Sequence, residues 1–465
     1  MPPKFGTSGL RGLVSDLAAP CVTRYVQSFL SCCSVGSGLY IGHDLRPSSA
    51  GLADVVMQGA RQMGVSVTVC GPVPTPALAL AAGQRGASAI MVTGSHIPAD
   101  RNGLKFFTPK GEITKSEEAL ILGALDRPVG QVPSGSVTED TGVMARYAAR
   151  YQHGFRDVLN GKHIGLYQHS AVGRDALADL LQTLGAEVTT LGQSDVFIPV
   201  DTEALPGVLR QQLRAWAEPG QFDAIVSTDA DGDRPLLTDE YGEVVSGDIL
   251  GQITAEALGA ETVVTPLSSN SGVALLDSFA QVIRTAIGSP FVIAEMQQAA
   301  GNVVGYEANG GFILGFTAQG ATGALTPLMT RDAVLPIIAV LAQSAKAGVA
   351  ACVATQPRRF TATDRLQEVD LRAVAEFLAL IRSDPEQRAA ILAPLNSGCV
   401  AMDETDGLRM TLLDARIIHL RPSGNAPEMR IYVEAEAPQR AQQTCFTMLS
   451  LLEAALARCG SCPTL

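Results

Sequence analysis

Aromatic residues and positive charge are both scarce in this chain. Phe, Trp and Tyr make up 5% of the 465 residues, and 34 Lys and Arg stand against 46 Asp and Glu, which gives a formal net charge of −12. A nucleic-acid-binding surface needs clustered Lys and Arg to neutralise phosphates. We therefore expect no nucleic-acid partner, and an acidic ligand would require the few arginines to be concentrated in one place.

Long apolar runs and a cysteine framework are also missing. No stretch approaches the apolar length of a membrane span, and residues 1–6 are not followed by the apolar segment of a secretory signal. The nine cysteines are scattered and odd in number, without a disulfide pattern. Cys459 and Cys462 have redox or metal spacing but no partner pair. These absences predict a cytoplasmic protein without membrane contact.

What the chain has in abundance is apolar residues, at 46%, and 46 glycines. This profile is typical of an α/β protein with many turns between strands and helices, and 465 residues are too many for a single core. Strands alternate with helices until about residue 357, where the pattern changes to α+β. We predict three repeated α/β modules at 1–141, 142–250 and 251–357, followed by an α+β domain at 358–465, with a linker at 130–142.

A serine follows one predicted buried strand. Residues 87–92 are apolar and indicate a strand of a parallel sheet. Ser95 comes just after its carboxyl end, where open α/β sheets bind ligands, and His96 and Lys105 are close by in the sequence. The pattern predicts an exposed, firmly held hydroxyl beside a His and a Lys. The alternative is a polar turn that simply ends a strand.

Three carboxylates alternate along the segment 229–234, which we name the metal loop. Asp229, Asp231 and Asp233 follow another predicted strand and can direct oxygens at one point, which suits a hard divalent cation. Without a cation they would repel one another. An EF-hand loop is a rival interpretation, because Glu240 falls at its twelfth position. However, Arg234 stands where that loop requires Gly, and a strand rather than a helix precedes it. A solvated acidic turn is the second alternative.

An arginine opens the segment 421–427, named here the phosphate loop. Arg421 supplies a fork of donors that suits phosphate. Ser423, Gly424 and Asn425 offer a hydroxyl, bare backbone N–H groups and an amide, as an anion-binding nest requires, and Arg430 adds charge. The alternative is an ordinary hairpin turn between two strands.

Two further loops carry polar groups. The segment 305–311, named the sugar loop, is rich in glycine, and its Glu307 and Asn309 could bond the vicinal hydroxyls of a sugar. A nucleotide-binding glycine loop is the rival, but its spacing does not match. The segment 7–12, named the N-terminal loop, contains hydroxyls and Arg11; its alternative is a flexible turn.

Together these loops resemble the α-D-phosphohexomutase family. They occur in the family's order, span the whole chain and are far more specific as a set than singly. The matching segments are 7–12, 93–96, 102–105, 229–234, 305–311 and 421–427. The resemblance implies an α/β fold with four domains around a central cleft, mixed sheets in the first three, and a phosphohexomutase activity.

The resemblance also assigns roles to individual residues. Ser95 is expected to carry a phosphoryl group in the active enzyme and, with Asp229, Asp231 and Asp233, to hold Mg²⁺. The candidates for proton transfer or charge stabilisation beside Ser95 are His96, Lys105 and Arg11. The residues expected to bind substrate are Ser8, Arg234, Glu307, Asn309, Arg421, Ser423, Gly424, Asn425 and Arg430.

Three segments of the chain depart from the family pattern. Ile97 stands where Asn usually follows the serine motif, and Gly311 replaces the His that commonly ends the sugar loop. Asn425 and Ala426 replace Thr and Glu in the phosphate loop. The missing His puts the sugar preference and any proton transfer from that loop in question. These differences resemble a subgroup of phosphomannomutases of bacterial polysaccharide synthesis.

The activity that the resemblance implies is the interconversion of hexose 6-phosphate and hexose 1-phosphate. Phospho-Ser95 would phosphorylate the substrate, and the hexose 1,6-bisphosphate, also the activator, would turn end for end and return its other phosphoryl group. We expect mannose or glucose phosphates as ligands and a monomer or homodimer. The alternatives are a phosphoglucomutase or phosphoglucosamine mutase with the same mechanism, a phosphatase in which water intercepts the phosphoserine, and a non-catalytic sugar-phosphate sensor.

Overall fold

The computed structural model of the protein describes residues 3–127, 130, 132–218, 220–344, 347–423 and 427–459, with side chains up to 456. The chain forms two compact units. The larger unit comprises Met1–Thr265, Ser278–Ile283 and Gly288–Gln356, and the smaller comprises Pro266–Asp277, Arg284–Ile287 and Pro357–Leu465. Within the described part of the chain, no helix combines the length and the apolar character that crossing a membrane requires.

The first sheet of the larger unit contains eight strands and is flanked by four helices. In chain order its elements are β1 (Lys4–Phe5), β2 (Leu10–Leu13), α1 (Ala19–Cys32), β3 (Leu39–His43), α2 (Ser49–Gln62), β4 (Val67–Pro72), α3 (Thr75–Gln84), β5 (Ser88–Val92), β6 (Arg101–Thr108), β7 (Gly111–Glu112), α4 (Lys115–Gly123) and β8 (Val137–Glu139). The strand order is β1-β2-β6-β5-β3-β4-β8, with β7 paired to β6. β5 is parallel to β3 but antiparallel to β6, so the sheet is mixed rather than parallel.

Hydrophobic spacing and capping account for the helices on this sheet. α1 turns Val22, Val26 and Phe29 inward, one every three or four residues, as an amphipathic helix requires. α4 begins with a capping box, in which Thr114 and Glu117 accept hydrogen bonds from each other's backbone N–H. The packed helices leave the carboxyl end of β5 free to continue into the Ser95 loop.

The linker predicted at 130–142 is wrong for part of its length. Val137–Glu139 forms β8, which pairs in parallel with β4, with Val137 opposite Val67. All three residues of β8 are exposed. A three-residue exposed edge strand has no apolar alternation, and the sequence pattern therefore does not reveal it.

The next part of the chain builds two more mixed sheets and a short ribbon. Its elements are α5 (Val143–Gly154), β9 (His163–His169), α6 (Arg174–Thr183), β10 (Glu187–Gln193), α7 (Gly207–Ala217), β11 (Ala224–Thr228), β12 (Pro235–Leu237), α8 (Gly247–Ala257), β13 (Thr262–Pro266), a 3₁₀ turn (Ser271–Leu275), β14 (Gln281–Thr285), α9 (Ser289–Met296), β15 (Val303–Tyr306), β16 (Phe312–Leu314), β17 (Ala318–Gln319), β18 (Ala324–Leu325), β19 (Leu328–Asp332), α10 (Val334–Gln343) and α11 (Val349–Ala354).

Both sheets place a predicted loop at a strand end. The second sheet has the order β10-β9-β11-β12 and the third β14-β13-β15-β16-β19, while β17 and β18 form the ribbon. β9, β10 and β11 are parallel, and β12 is antiparallel to β11. The metal loop joins β11 to β12, and the sugar loop joins β15 to β16. The predicted mixed α/β sheets are thus confirmed.

The last part of the chain is α+β, as predicted. Its elements are β20 (Phe360–Leu366), α12 (Leu371–Ser383), α13 (Pro385–Leu392), a 3₁₀ turn (Ala393–Leu395), β21 (Cys399–Asp403), β22 (Leu408–Leu412), β23 (Ile417–Pro422), β24 (Met429–Ala435) and α14 (Pro438–Cys459). The five strands form one sheet in the order β20-β24-β23-β22-β21, antiparallel throughout. The phosphate loop joins β23 to β24. The Cys459–Cys462 pair lies partly outside the described residues.

Candidate active site

Ser95 lies at the carboxyl end of β5 in an unusual backbone conformation. Its φ of 52° is in the left-handed region, which non-glycine residues rarely adopt and which is common where function requires strain. The Thr93 hydroxyl oxygen accepts the Ser95 N–H at 2.8 Å and holds this turn. The Ser95 hydroxyl donates to Asp229 Oδ2 at 2.6 Å. The prediction of an exposed hydroxyl is wrong, since Ser95 is only 2% exposed.

A buried arginine that the sequence analysis missed holds the Ser95 loop. Arg46 pairs with Asp44 through its Nε at 3.2 Å and directs its two Nη groups at backbone carbonyls. The four acceptors, at 2.6–2.9 Å, are the carbonyls of Ser95, Ile97, Pro98 and Arg101. Asp44 also accepts the Thr93 hydroxyl at 2.7 Å. A signal was available, because Asp44 and Arg46 follow β3, whose carboxyl end adjoins that of β5.

The metal loop brings its three aspartates together as predicted. Asp229, Asp231 and Asp233 are fully buried, and one oxygen from each lies within 4.8 Å of the others. Asp229 Oδ1 accepts the backbone N–H of Asp233 and of Arg234, each at 3.2 Å. The loop leaves β11 and enters β12 at Pro235. The strand before the loop excludes the EF-hand interpretation, which requires a helix there.

Orphaned carboxylate oxygens in this cluster fit a cation. Oδ1 of Asp231 and Oδ1 of Asp233 are buried and have no hydrogen-bond donor among the described residues. A buried charged oxygen without a donor is costly, and oxygen is the ligand that Mg²⁺ prefers. The Ser95 hydroxyl already lies against the third carboxylate. The residues present therefore fit a divalent metal at this point.

Lys105 compensates the negative charge of the cluster. Its Nζ donates to Asp231 Oδ2 at 2.6 Å and also pairs with Asp233. The pKa of Asp231 is therefore held below its usual range: burial would raise it, but Lys105 and the Thr75 hydroxyl outweigh burial. The pKa of Asp229 is raised well above its usual range by burial and by its two neighbouring carboxylates. The carboxylates thus meet a cationic side chain, which the sequence analysis did not anticipate.

His96 lies beside Ser95 as a neutral group. Its Nδ1 is 3.3 Å from the Ser95 hydroxyl oxygen, and its Nε2 is 3.9 Å from a carboxylate oxygen of Asp201. The pKa of His96 is lowered to about 2, chiefly by burial and then by the positive charges of Arg234 and Arg11. The imidazole can therefore exchange a hydrogen bond with Ser95 but carries no charge of its own.

The N-terminal loop contributes Arg11 and Ser8. Burial lowers the pKa of Arg11 to about 10, and its guanidinium donates to the Leu10 carbonyl at 3.0 Å. A Cβ on Gly103 would lie 2.5 Å from Arg11 Nη1, so Gly103 makes room for this guanidinium. Ser8 Oγ donates to Glu112 at 3.4 Å. The structure thus brings this loop to the same region as Lys105, on the strand β6.

The sugar loop is folded by its own hydrogen bonds. The Asn309 side-chain oxygen accepts the Gly311 N–H at 3.0 Å, and the Glu307 carbonyl accepts the Gly310 N–H at 2.8 Å. Gly310 has a φ of 85°, which glycine adopts without strain. Glu307 and Asn309 are both buried.

Arg331 joins this loop to the metal loop and was also missed. Its Nη1 donates to Glu307 Oε2 and its Nη2 to Asp233 Oδ2, both at 2.8 Å. Arg331 lies in β19, 24 residues along the chain from Glu307 and 98 residues from Asp233. Arg234 of the metal loop is partly buried, and its Nη1 lies 3.7 Å from Asp201 Oδ1.

The predicted phosphate loop belongs to the smaller unit. Arg421 Nε donates to Asp406 Oδ1 at 2.8 Å, and the Ser423 N–H donates to the Glu428 carbonyl at 2.8 Å. Arg430 Nε is 3.8 Å from a Glu428 carboxylate oxygen. Gly424, Asn425 and Ala426 lie outside the described residues.

Three segments of the chain match the phosphoglucomutase/phosphomannomutase family. Residues 2–128 match its alpha/beta/alpha domain I, residues 241–359 its alpha/beta/alpha domain III, and residues 365–449 its C-terminal domain. Together these matches cover more than half of the chain, which therefore belongs to the phosphoglucomutase/phosphomannomutase family. The protein is a mutase, an intramolecular phosphotransferase, and the predicted family is confirmed.

Individual relatives narrow the comparison. The chain is 41% identical to a phosphomannomutase of Sinorhizobium fredii (strain NBRC 101917 / NGR234), over 98% of this chain and 100% of that protein. It is also 41% identical to a phosphomannomutase of Salmonella muenchen, over 98% of this chain and 96% of the relative. A phosphoglucosamine mutase of Zymomonas mobilis is 28% identical over 94% of this chain and 96% of its own length.

Solved structures show the same fold. A phosphoglucomutase/phosphomannomutase family protein from Burkholderia thailandensis superposes with a TM-score of 0.78 at 19% identity, over 97% of both chains. At this identity the likeness establishes architecture alone.

Proposed function

We propose that the protein is a phosphomannomutase that interconverts mannose 6-phosphate and mannose 1-phosphate through a phosphorylated Ser95. Two relatives named phosphomannomutase, each 41% identical over nearly the whole chain, support this substrate. The phosphoglucosamine mutase is only 28% identical, so the chain is more similar to the relatives that are named for mannose phosphates. Glucose phosphates are the second substrates in this proposal.

The observation that carries the proposal is the hydrogen bond between Ser95 and Asp229, 2.6 Å long, at the edge of a buried aspartate cluster. The fold does not require three carboxylates beside a serine hydroxyl at the end of a strand. A phosphate on Ser95 would add about −1.5 to −2 charge at this point, and a divalent cation held by the three carboxylates would balance that charge, as a phosphoryl carrier requires.

Two transfers complete the reaction. In the first, the bond between phosphorus and Ser95 Oγ breaks, a free hydroxyl of the hexose monophosphate bonds to phosphorus, and the hydroxyl's proton is delivered to Ser95. The hexose 1,6-bisphosphate then turns end for end. In the second transfer Ser95 attacks the other phosphoryl group, and its proton passes to the departing sugar oxygen. Added bisphosphate acts as the activator, because it rephosphorylates Ser95.

In this proposal Asp229, Asp231 and Asp233, together with the Ser95 phosphoryl group, would hold Mg²⁺. The cation, when bound, neutralises charge on the transferring phosphoryl group. Lys105 keeps two of these carboxylates ionised and in place. Preorganised charges of this kind cost no rearrangement at the moment of reaction.

The remaining residues act on the sugar and on the reacting oxygens. His96 exchanges a hydrogen bond with Ser95 Oγ, and Arg11 stabilises charge on the oxygens that transfer. Glu307 and Asn309 bind sugar hydroxyls, with Ser8 and Arg234 beside them. The residues that bind the non-reacting phosphate are Arg421, Ser423, Gly424, Asn425 and Arg430. Binding energy from that phosphate orients the substrate for transfer.

The domain boundaries 1–141, 142–250, 251–357 and 358–465 remain part of the proposal, as does the cytoplasmic location. With these boundaries Ser95, the metal loop, the sugar loop and the phosphate loop fall in four different domains, one in each.

A substrate panel tests the proposal. Purified protein is incubated with Mg²⁺ and the 1-phosphates of mannose, glucose and glucosamine, with and without the matching 1,6-bisphosphate, and the products are followed by phosphorus NMR. We expect the 6-phosphate of mannose to form fastest and the bisphosphate to remove any lag. Release of free phosphate as the main product would indicate a phosphatase, and binding without turnover would indicate a sensor.

A further inference from the structure

The side chain of Arg331 fills the space above Gly311. A Cβ built on Gly311 would lie 2.7 Å from Arg331 Cδ, closer than real Cβ atoms approach other heavy atoms, and 3.0 Å from its Cγ, which is a tight contact. It would also lie 3.0 Å from the Asp233 carbonyl oxygen. The φ of Gly311 is not in the left-handed region, so the backbone does not itself require glycine there. The glycine is required because of what lies above it.

Arg331 also contacts three separate loops. Its Nη1 donates to Glu307 of the sugar loop and its Nη2 to Asp233 of the metal loop, both at 2.8 Å. Nη2 further lies 3.4 Å from the hydroxyl oxygen of Ser8 in the N-terminal loop. Sequence motifs identified Glu307, Asp233 and Ser8 in three separate segments. In the structure, the guanidinium of Arg331 contacts all three.

The strand that carries Arg331 is fixed on both sides of it. Asp332 accepts the Tyr147 hydroxyl at 2.6 Å and also that of Tyr151. Thr330 donates to Glu112 at 2.9 Å. The Arg331 side chain is 3% exposed, and it stays charged: burial lowers its pKa, but the carboxylates of Asp233, Glu307 and Glu112 raise it well above the usual value. The guanidinium is therefore held rigidly and permanently charged.

We propose that Arg331 is a positioning residue for the reaction. Its guanidinium fixes the metal loop and the sugar loop in one arrangement, from the space that a side chain at position 311 would occupy. The inference rests on the proposed function, since it assigns Glu307 to the sugar and Asp233 to the metal. Arg331 would act through these two carboxylates and would itself leave the transferring phosphoryl group untouched.

The geometry requires two separate donor groups on one side chain, and a single positive charge would not be enough. The two donors are the separate Nη groups of one planar guanidinium, and a lysine would replace them by a single ammonium on a flexible stem. Loss of both bonds would leave the buried carboxylate of Glu307 without its cationic partner and Asp233 with Lys105 as its remaining close partner. The uncompensated negative charge beside the site of an anionic substrate would lower the affinity for the substrate.

The first experiment compares Arg331→Lys and Arg331→Ala with the wild type. Mannose 6-phosphate is titrated by calorimetry into dephosphorylated protein in EDTA, and kcat and KM are measured separately with Mg²⁺. We expect Arg331→Ala to raise the dissociation constant roughly ten- to a hundredfold. Arg331→Lys should raise it by nearly as much, because a lysine cannot restore both bonds. The matched control is Arg214→Lys and Arg214→Ala, because Arg214 pairs with Glu243 at the surface of the same unit; both should behave as the wild type.

A double-mutant cycle tests whether Arg331 acts through Glu307. In a Glu307→Gln background, Arg331→Ala should raise the dissociation constant by less than about threefold, since the partner charge is already gone. Equal effects in both backgrounds would overturn the proposal. So would wild-type affinity in Arg331→Lys, because charge alone would then suffice. The melting temperature of each variant is measured in parallel. A lower melting temperature for Arg331→Ala, together with no coupling between Arg331 and Glu307 in the cycle, would show that the loss of affinity is merely structural. That outcome would also contradict the proposal.

A second cycle tests the shared space. Gly311→Ala should lower kcat/KM roughly fivefold or more in the wild type, because the methyl group meets Arg331 Cδ. In the Arg331→Ala background the same change should cost clearly less, the residual cost arising from the Asp233 carbonyl. An undiminished cost would overturn the claim that Arg331 holds that space. Failure of the proposed function is separate from either result, because it would appear as absent mutase turnover in the wild type.

Discussion

The charged side chains of the metal loop and those at the phosphate loop differ in how far they are exposed to solvent. The side chains of Asp231 and Asp233 are 0% exposed and are paired with the equally buried Lys105 and Arg331. In the smaller unit the side chain of Arg421 is 16% exposed and that of Arg430 39% exposed. One set of charges is fixed in the interior, and the other is within reach of solvent.

This difference separates chemistry from binding. A buried network cannot rearrange without leaving a charge unpaired, so it is suited to a transition state that needs fixed charges. The Arg421 pair can exchange its carboxylate for another anion at lower cost, because water can solvate Asp406 when it is released. If Arg421 binds the substrate phosphate, as we propose, that phosphate would replace Asp406 as its partner. We expect changes at Ser95 and Asp231 in the buried region to affect kcat, and changes at Arg421 in the more exposed region to affect KM.

The largest effect is expected from Ser95→Ala. Turnover should fall about 10⁴-fold or more, the scale on which loss of a nucleophile acts, because no side chain would remain to carry the phosphoryl group. Peptide mass spectrometry of the wild type should locate the phosphate on Ser95, and the variant should carry none. Ser31→Ala, an exposed hydroxyl on α1, is the control. An active Ser95→Ala would end the mechanism proposed for the buried region.

Asp231→Asn should follow, with kcat lowered about 10²- to 10³-fold while the fold persists. The amide keeps an acceptor for Thr75 but removes a charge from the cation site. Calorimetric titration with Mg²⁺ should show weaker binding. Asp195→Asn, at a side chain that is 98% exposed, should change neither quantity. Wild-type turnover of Asp231→Asn at limiting Mg²⁺ would contradict the metal assignment.

Arg421→Ala is expected to act on binding alone. Loss of a charge-assisted phosphate contact, worth about 1.5–3 kcal/mol, should raise KM roughly ten- to a hundredfold for every hexose phosphate, with kcat and Ser95 phosphorylation largely retained. Arg440→Ala serves as the control, since Arg440 is another ion-paired arginine of the same unit, bonded to Asp414 and Glu436 and more exposed than Arg421. An unchanged KM for Arg421→Ala would move the phosphate site elsewhere.

The smallest effect should come from salt. Raising KCl from about 0.1 to about 1 M shortens the Debye length from about 10 to about 3 Å, which screens exposed charges far more than buried ones. We expect KM to rise about three- to tenfold while kcat changes by less than about twofold. Steady-state kinetics at several salt concentrations measure both. A drop in kcat with constant KM would reverse the comparison between the two regions.

The sequence predicted the groups that are close together along the chain. The metal aspartates share one loop, and Ser95 is identified by its place after an apolar strand, so local pattern suffices for both. The structure corrected the exposure of Ser95, because its burial depends on Asp229, 134 residues away. The edge strand β8 was missed because three exposed residues carry no periodicity.

Arg46 and Arg331 were missed for a different reason. Arg331 lies 98 residues from Asp233, and no local pattern connects them. The sequence held a weak signal, since two charged residues, Arg331 and Asp332, directly precede the apolar helix α10. Charged residues next to a buried helix are rarely buried without partners. Finding those partners requires the tertiary fold.

The shared space of Gly311 and Arg331 also constrains how such a protein can evolve. A side chain gained at 311 while Arg331 is present crowds the loop. Loss of Arg331 before anything replaces it removes the cationic partner of Glu307 and one of the partners of Asp233. Either order passes through an impaired intermediate, so the two positions should change together or not at all. Among relatives, a side chain larger than glycine at 311 should be accompanied by a small residue at 331, and a lineage that has adopted one arrangement should rarely leave it.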